Sequence, residues 1–185
     1  MKPFNASIQW STGAMSKGVF KTRRVSDMKS LFHDQAAAEY SISQGDPIVY
    51  QYTTIELPEE SSHVLYGTTT IYPGQVGTEY FMTKGHYHEL RDTGEVYLCV
   101  KGVGRLIMET ESGDTDILDM FPGSVSYVPP QWAHRVCNVG DEPLMFFAAF
   151  PGHAGHDYGT IDQTGFRIRV ENHGGKPQVI LGEQE

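Results

Sequence analysis

Long apolar runs are missing from this 185-residue chain, and no stretch approaches the length needed to span a bilayer. The first residues, Met1-Lys2-Pro3-Phe4-Asn5-Ala6-Ser7, lack the apolar segment of a secretory leader, so a soluble, cytoplasmic protein is expected. Cysteine is scarce. Only Cys99 and Cys137 are present, each inside a strand-like run, which argues against a disulfide framework and suits a reducing compartment. Basic residues are in deficit: 14 Lys and Arg against 23 Asp and Glu give a formal charge of −9. That balance argues against nucleic acid or an anionic membrane surface as a partner, although a local pocket can oppose the global field and take an anionic small molecule. There is no Walker-type loop, no glycine-rich turn opening a helix, no internal repeat and no interdomain linker. One domain over residues 1–185 with a sizeable core is the expectation.

Helical patterning is sparse and confined to the start of the chain. Residues 1 to about 26 carry no strong periodicity, and Arg23-Arg24 reads as a solvated pair unless an anion pocket lies near. Ser26 or Asp27 is positioned to cap a short helix through Met28–Phe32, and Asp34 to cap a second through Gln35–Tyr40, which Gly45-Asp46-Pro47 ends. From residue 48 the character is β throughout. Ile48–Ile55 and Val64–Tyr72 are rich in β-branched and aromatic residues, and short runs follow at about 79–83, 95–101, 104–110, 115–119, 124–128, 133–139, 143–150 and 165–170. Turn formers separate them, as in Lys101-Gly102-Val103-Gly104, Ser112-Gly113-Asp114 and Phe121-Pro122-Gly123. Many short strands with regular punctuation predict an all-β sandwich or jelly-roll barrel, over about 48–170, behind an N-terminal extension over about 1–47. The tail from Glu171, with Gly174-Gly175, either pairs one last strand or frays.

The chemistry gathers around Gly85-His86-Tyr87-His88. On an extended strand, residues at i and i+2 share a face, so both imidazoles point the same way. Taken alone, a His-x-His pair is more often two satisfied or surface histidines. Glu95 opens the next strand-like run and is placed to project into the same interior from a neighbouring strand, and His134 supplies a fourth donor. Three imidazoles and one carboxylate suit a single divalent first-row ion with one or two positions left for substrate oxygens. If Glu95 faces inward, so do Tyr97 and Cys99; if His134 does, so do Val136 and Asn138.

The spacings around these residues resemble the two cupin motifs. Six residues separate Glu95 from Gly102, five separate Gly123 from Pro129 and three separate His134 from Asn138. Six residues between His88 and Glu95 exceed the three or four of the general pattern, and Gln131 stands where that pattern has glycine. Thr83–His88, Glu95-Val96-Tyr97, Tyr127–Arg135, Gly140–Pro143 and Ala154–Thr160 narrow the likeness. Together they are similar to the cupin-type glucose-6-phosphate isomerases, whose own spacing from the second histidine to the glutamate is the longer one found here. The resemblance implies an all-β cupin jelly roll with one or two short N-terminal helices, and a cytosolic homodimer. It also implies one divalent metal ion per subunit, with Fe2+ first and Mn2+, Ni2+, Co2+ or Zn2+ as the other candidates. His86, His88, Glu95 and His134 match the metal ligands. Glu95, His156 and Tyr158 are the candidate catalytic groups, and Tyr50, Thr69, Thr83, Lys84, Gly85 and Tyr97 fall where the phosphosugar is bound. Phe150 stands where the family leads one to expect a tyrosine hydroxyl facing the sugar.

Interconversion of glucose 6-phosphate and fructose 6-phosphate moves two hydrogens between C1 and C2 of the open chain. A divalent ion polarises the carbonyl and stabilises the developing enediolate by several kcal/mol, unless a hydride shifts directly. Two other readings use the same ligands: an Fe(II) cupin dioxygenase, and a sugar-binding cupin without turnover. The hydroxyl-bearing candidate lining favours the isomerase.

Overall fold

A computed structural model describes residues 1–182. In chain order the elements are β1 (Gly18–Arg24), α1 (Val25–Met28), α2 (Gln35–Ser43), β2 (Ile48–Ile55), β3 (Val64–Ile71), β4 (Gln75–Val76) and β5 (Glu79–Tyr80). They continue with β6 (Glu95–Lys101), β7 (Gly104–Thr110), β8 (Thr115–Met120), β9 (Val125–Val128), β10 (Trp132–Asn138) and β11 (Leu144–Pro151). The chain closes with α3 (Gly159–Thr164), β12 (Ile168–His173) and β13 (Lys176–Leu181). A six-stranded antiparallel sheet in the order β1-β2-β3-β11-β6-β9 faces a sheet of β10-β7-β8, and β13-β12-β5-β4 form a smaller third. The result is the all-β cupin jelly roll.

Strand β6 shows why alternating patterns build a wall of this barrel. Glu95, Tyr97 and Cys99 are buried while Val96 and Leu98 are exposed, so one face lines the interior and the other meets solvent. Strand β10 breaks that alternation. Ala133 through Asn138 are all buried, because Phe166 and the C-terminal segment cover its outer side. Asn138 is fully buried and satisfied: its Nδ2 donates to the Ile71 and Glu142 carbonyls at 2.9 Å, and its Oδ1 accepts from Gly140 N–H.

The N-terminal region departs from the sequence pattern. Gly18–Arg24 carries no clean alternation, yet it pairs with β2 from Gly18 opposite Ile55 to Arg24 opposite Ile48. The first helix starts at Val25, before the expected cap. Asp27 lies in its first turn and accepts from the Arg24 N–H at 2.9 Å, while Lys29–Leu31 tightens into a 3-10 turn. Asp34 caps α2 as expected, accepting from Ala37 N–H at 2.9 Å. Helix α3 has too little apolar periodicity to be read from sequence. After Glu171 the chain does pair a last strand, with β13 returning along β12 through Gly174-Gly175. Gln131 keeps the left-handed backbone (φ +74°) that glycine favours, and its N–H is tied to the Arg91 carbonyl at 2.8 Å.

Candidate metal centre and substrate cavity

Residues 81–86 run antiparallel along β10 as an irregular edge. Met82 lies opposite Cys137 and His86 opposite His134. Three residues, Thr83, Lys84 and Gly85, therefore face only two, Arg135 and Val136, which makes a β-bulge with Lys84 and Gly85 both against Arg135. The bulge sets the face. Paired regularly from Met82 without a bulge, these same residues would put Gly85 opposite His134 and turn the His86 imidazole to the other side of the sheet. As built, His86 and His134 are cross-strand partners with ring centroids 4.5 Å apart, and His88 follows on the same side, 5.3 Å from His134. Glu95 arrives from β6 in the facing sheet rather than from a neighbouring strand, so the site bridges the two walls of the barrel. The ligand atoms of His86, His88, Glu95 and His134 lie within 4.8 Å of one another.

Hydrogen bonds behind the ligands select their tautomers. Thr93 Oγ1 donates its one proton to the Leu90 carbonyl at 2.6 Å and therefore accepts from His88 Nδ1–H at 2.8 Å. His134 Nδ1 donates to the Trp132 carbonyl at 3.2 Å. Neutral rings held in this form turn Nε2 lone pairs inward, the usual arrangement behind metal-binding histidines. Two of those nitrogens, in His86 and His134, are buried without any hydrogen-bond partner. His134 Nε2 approaches Glu95 Oε2 to 2.9 Å without the alignment of a hydrogen bond, and His88 Nε2 lies 3.3 Å from the same oxygen. Lone pairs converging on a carboxylate oxygen call for a cation among them, so the donor set fits a divalent ion.

Above this cluster opens a cavity of about 760 Å³. Tyr50, Thr69, Thr83, Lys84, Gly85 and Tyr97 all line it, as do His156 and Tyr158 on the loop after β11. His88 does not line it; it supports the cluster from below. The loop is anchored through Asp157, which accepts from Thr160 Oγ1 at 2.7 Å and pairs with Arg91 at 2.7 Å. Arg91 in turn donates to the His88 carbonyl and stacks over Tyr87 at 4.4 Å. The Arg91 contact is the leading cause that holds the Asp157 carboxyl down at about 2. Phe150 stands edge-on to His156, with centroids 5.2 Å apart, as an apolar wall.

Sequence reasoning left Arg23-Arg24 open as a pair beside an anion pocket, and missed Lys21 and which of the two arginines faces in. Strand alternation sends Arg23 and Arg24 to opposite sides: Arg23 lines the cavity with Lys21 and Tyr52, while Arg24 turns away and donates to the Asp46 carbonyl at 2.7 Å. Arg23 Nη2 reaches Tyr52 Oη at 3.4 Å. Had β1 been recognised as a strand, the i, i+2 spacing of Lys21 and Arg23 would have revealed the pair.

Burial and neighbours tune the titrating groups. Desolvation pushes His86 well below the ordinary histidine range, helped by His134 and His156. Burial also lowers His156, with Glu95 opposing, so its ring is neutral at pH 7. Burial works against charge on Glu95; without an ion, a proton carried on the inward nitrogen of His134 or His88 would oppose it and hold the carboxyl below its usual range. Desolvation raises the tyrosines: Tyr50, Tyr97 because it is buried beside Glu95, and Tyr158 to about 12. All three stay protonated, which leaves each an O–H to donate.

Residues 22–180 match the family model described as glucose-6-phosphate isomerase (GPI). The chain is 45% identical over 174 residues to the glucose-6-phosphate isomerase of Thermococcus litoralis, covering 94% of this chain and 92% of that one. Against the enzyme of the same name from Pyrococcus furiosus it is 42% identical over 179 residues, 97% of this chain and 95% of that one. The relative from Sinorhizobium medicae is 35% identical over 184 residues, 96% of this chain and 86% of that one. Among solved structures an oxalate oxidase matches with a TM-score of 0.52 and 14% identity, over 65% of this chain and 60% of that one, a likeness of fold alone.

Proposed function

The chain belongs to the glucose-6-phosphate isomerase family and interconverts glucose 6-phosphate and fructose 6-phosphate, and we propose that His86, His88, Glu95 and His134 hold the one divalent ion on which the reaction depends. The observation that carries this reading is the pair of buried, unpartnered Nε2 atoms converging with Glu95 at the floor of a polar cavity. Fe2+ is the ion we infer, since a mixed imidazole and carboxylate set suits it, with Mn2+, Ni2+, Co2+ and Zn2+ as alternatives. When bound, such an ion polarises the sugar carbonyl and offsets charge developing on oxygen.

The rest is done by side chains. Thr83 Oγ1 accepts from Val136 N–H at 3.1 Å, which leaves its own proton free for a ligand. With Thr69, the Gly85 N–H and Lys84 it forms the end of the cavity that takes the phosphate. Arg23 and Lys21 at the rim give that end a positive field in a chain of net negative charge. Tyr50, Tyr97 and Tyr158 donate to the sugar hydroxyls. Glu95, ionised and tied among imidazoles, is a weak base. His156 is neutral, stands 4.6 Å from His86 by ring centroids and stacks on Tyr158, so we assign it the transfer of the proton between C1 and C2, with Tyr158 orienting it. Phe150 has no hydroxyl and takes no part in proton transfer.

The test is a coupled assay on chelator-stripped protein, with fructose 6-phosphate supplied and divalent ions returned one at a time. Turnover is expected to fall to background on stripping and to recover most fully with Fe2+. Stoichiometric metal binding with no turnover for any ion would overturn the assignment and turn attention to oxygen consumption by a dioxygenase.

We also infer a homodimer. On the outer face of the six-stranded sheet, Val96 pairs with Tyr127 and Leu98 with Val125, and all four are exposed. A contiguous apolar patch on an edge strand fits a second copy related by a two-fold axis. Sedimentation should give a dimer for the native chain and weaken self-association at least about tenfold for Leu98→Glu, since a charge buried at such an interface costs more than 1.4 kcal/mol. An unchanged dimer would place the interface elsewhere. The buried free thiols of Cys99 and Cys137 suit the reducing cytosol we infer as its location.

A further inference from the structure

The residue opposite the bulge is a buried arginine. Arg135 is 4% exposed, does not line the cavity, and makes no ion pair with a carboxylate among the described residues. The buried carboxylates of Glu79 and Glu109 act on it only through the field, without contact, so the cost of burying the guanidinium has to be met by its own donors being well used. Here they converge on one acceptor: Nη2 and Nε lie 2.7 and 3.2 Å from the Lys84 carbonyl oxygen. The guanidinium plane rests on the Phe166 ring, 4.5 Å from its centroid, and Phe166 closes against Gly85 from the other side.

The Lys84 carbonyl and the Gly85 N–H are two ends of one peptide group. Gly85 is buried and lines the cavity, and its N–H donates to no group among the described residues. A strong donor at the oxygen end of a peptide polarises it and strengthens the N–H at the other end, the more so when that donor is charged. We propose that Arg135 is a positioning residue that fixes and polarises the Lys84–Gly85 peptide, so that the Gly85 N–H becomes a preorganised donor to the phosphate end of the substrate. The inference rests on the isomerase reading and deepens it: it gives the buried charge one peptide bond of distance from the anion it serves. It also accounts for the bulge, which places both residues of that peptide against a single cross-strand arginine.

A pillar that only supported the fold would shift stability, metal loading and kcat together. The positioning role instead moves anion affinity alone. The test uses the full chain, loaded with metal, as native protein, Arg135→Met and Arg135→Lys. Binding of inorganic phosphate is followed by calorimetry, and KM and kcat are measured with fructose 6-phosphate. For Arg135→Met the phosphate Kd and the KM are expected to rise about tenfold, the worth of one charge-assisted donor, with kcat nearly unchanged and one metal ion per chain retained. Arg135→Lys, which keeps the charge but not the fork, should fall between. Should Arg135→Met not fold, Phe166→Leu, which removes the surface under the guanidinium, carries the test beside Arg135→Lys, with a smaller rise expected. A folded, metal-loaded variant with native phosphate Kd, or with kcat reduced at unchanged KM, would overturn the proposal. If the native chain does not turn over fructose 6-phosphate, the isomerase reading fails by itself, and the ratio of phosphate Kd values still decides what Arg135 does.

Discussion

His134→Ala is expected to leave a folded protein that holds no stoichiometric divalent ion and isomerises fructose 6-phosphate at less than about a thousandth of the native rate. His134 is 2% exposed and sits at the centre of the donor set, within ring contact of His86 and His88 and 2.9 Å from Glu95. Truncation removes one of four donors and leaves the Glu95 carboxylate against two imidazoles with nothing to organise them. The electrostatic contribution lost is several kcal/mol, and about 4 kcal/mol corresponds to a thousandfold in rate. The fold should survive, because the imidazole makes one hydrogen bond, to the Trp132 carbonyl, and the β10 to β7 ladder does not depend on it. His88→Ala is the parallel case and also frees Thr93. Metal content by mass spectrometry, circular dichroism and the coupled assay on one preparation check all parts together. Native activity in a metal-free variant would sink the ligand assignment.

Gly85→Ala should be nearly as damaging by a different route. Gly85 has φ +74°, a left-handed backbone that costs an alanine about 1 kcal/mol. A Cβ there would also meet Phe166 Cε2 at 2.5 Å and Arg135 Cβ at 3.0 Å. The ring has to move off the guanidinium, and overpacking of this kind costs roughly 1–3 kcal/mol. Together they predict a destabilisation of about 2–4 kcal/mol, or a fall in Tm of roughly 5–15 °C for a chain of this length. Gly174→Ala is the control, with φ +64° but open space where the Cβ would go. It should cost about 1 kcal/mol and leave kcat and KM alone. Thermal melts and kinetics on both variants decide the matter. A Gly85→Ala protein that melts with the control and keeps native KM would show that the bulge yields freely.

Most of the barrel was legible because its strands advertise themselves. Ile48–Ile55, Glu95–Lys101 and Gly104–Thr110 are β-branched or alternating runs bounded by turn residues, and their ends fall where the pattern stops. Strand β1 was not, since Gly18–Arg24 is an edge strand with mixed burial, held by pairing with β2 rather than by an apolar face of its own. With it went Arg23 and Lys21, whose side of the cavity cannot be assigned without a strand. The four candidate donors could be gathered from spacing and family likeness, but their geometry could not. No local pattern says that Thr83–Gly85 bulges, or that Glu95 reaches across from the opposite sheet. Arg135 was hidden for the same reason: beside a histidine ligand on a strand it reads as a surface charge, and only the covering Phe166 makes it a buried one.

The bulge and the 89–94 connection constrain the length of this chain in different ways. The six residues between His88 and Glu95, against the three or four of the general cupin pattern, cross between the two walls and carry Arg91, which ties the His88 carbonyl to Asp157, and Thr93, which accepts from His88 Nδ1. The three residues from Thr83 to Gly85 face only two of β10, and the extra one is what sets Lys84 and Gly85 together against Arg135. A single-residue deletion there would let regular pairing from Met82 carry His86 opposite His134 with no bulge, so the four candidate donors would keep their side of the sheet while the peptide held by Arg135 would be lost. Length in this segment is tied to the anion end of the cavity rather than to the metal centre.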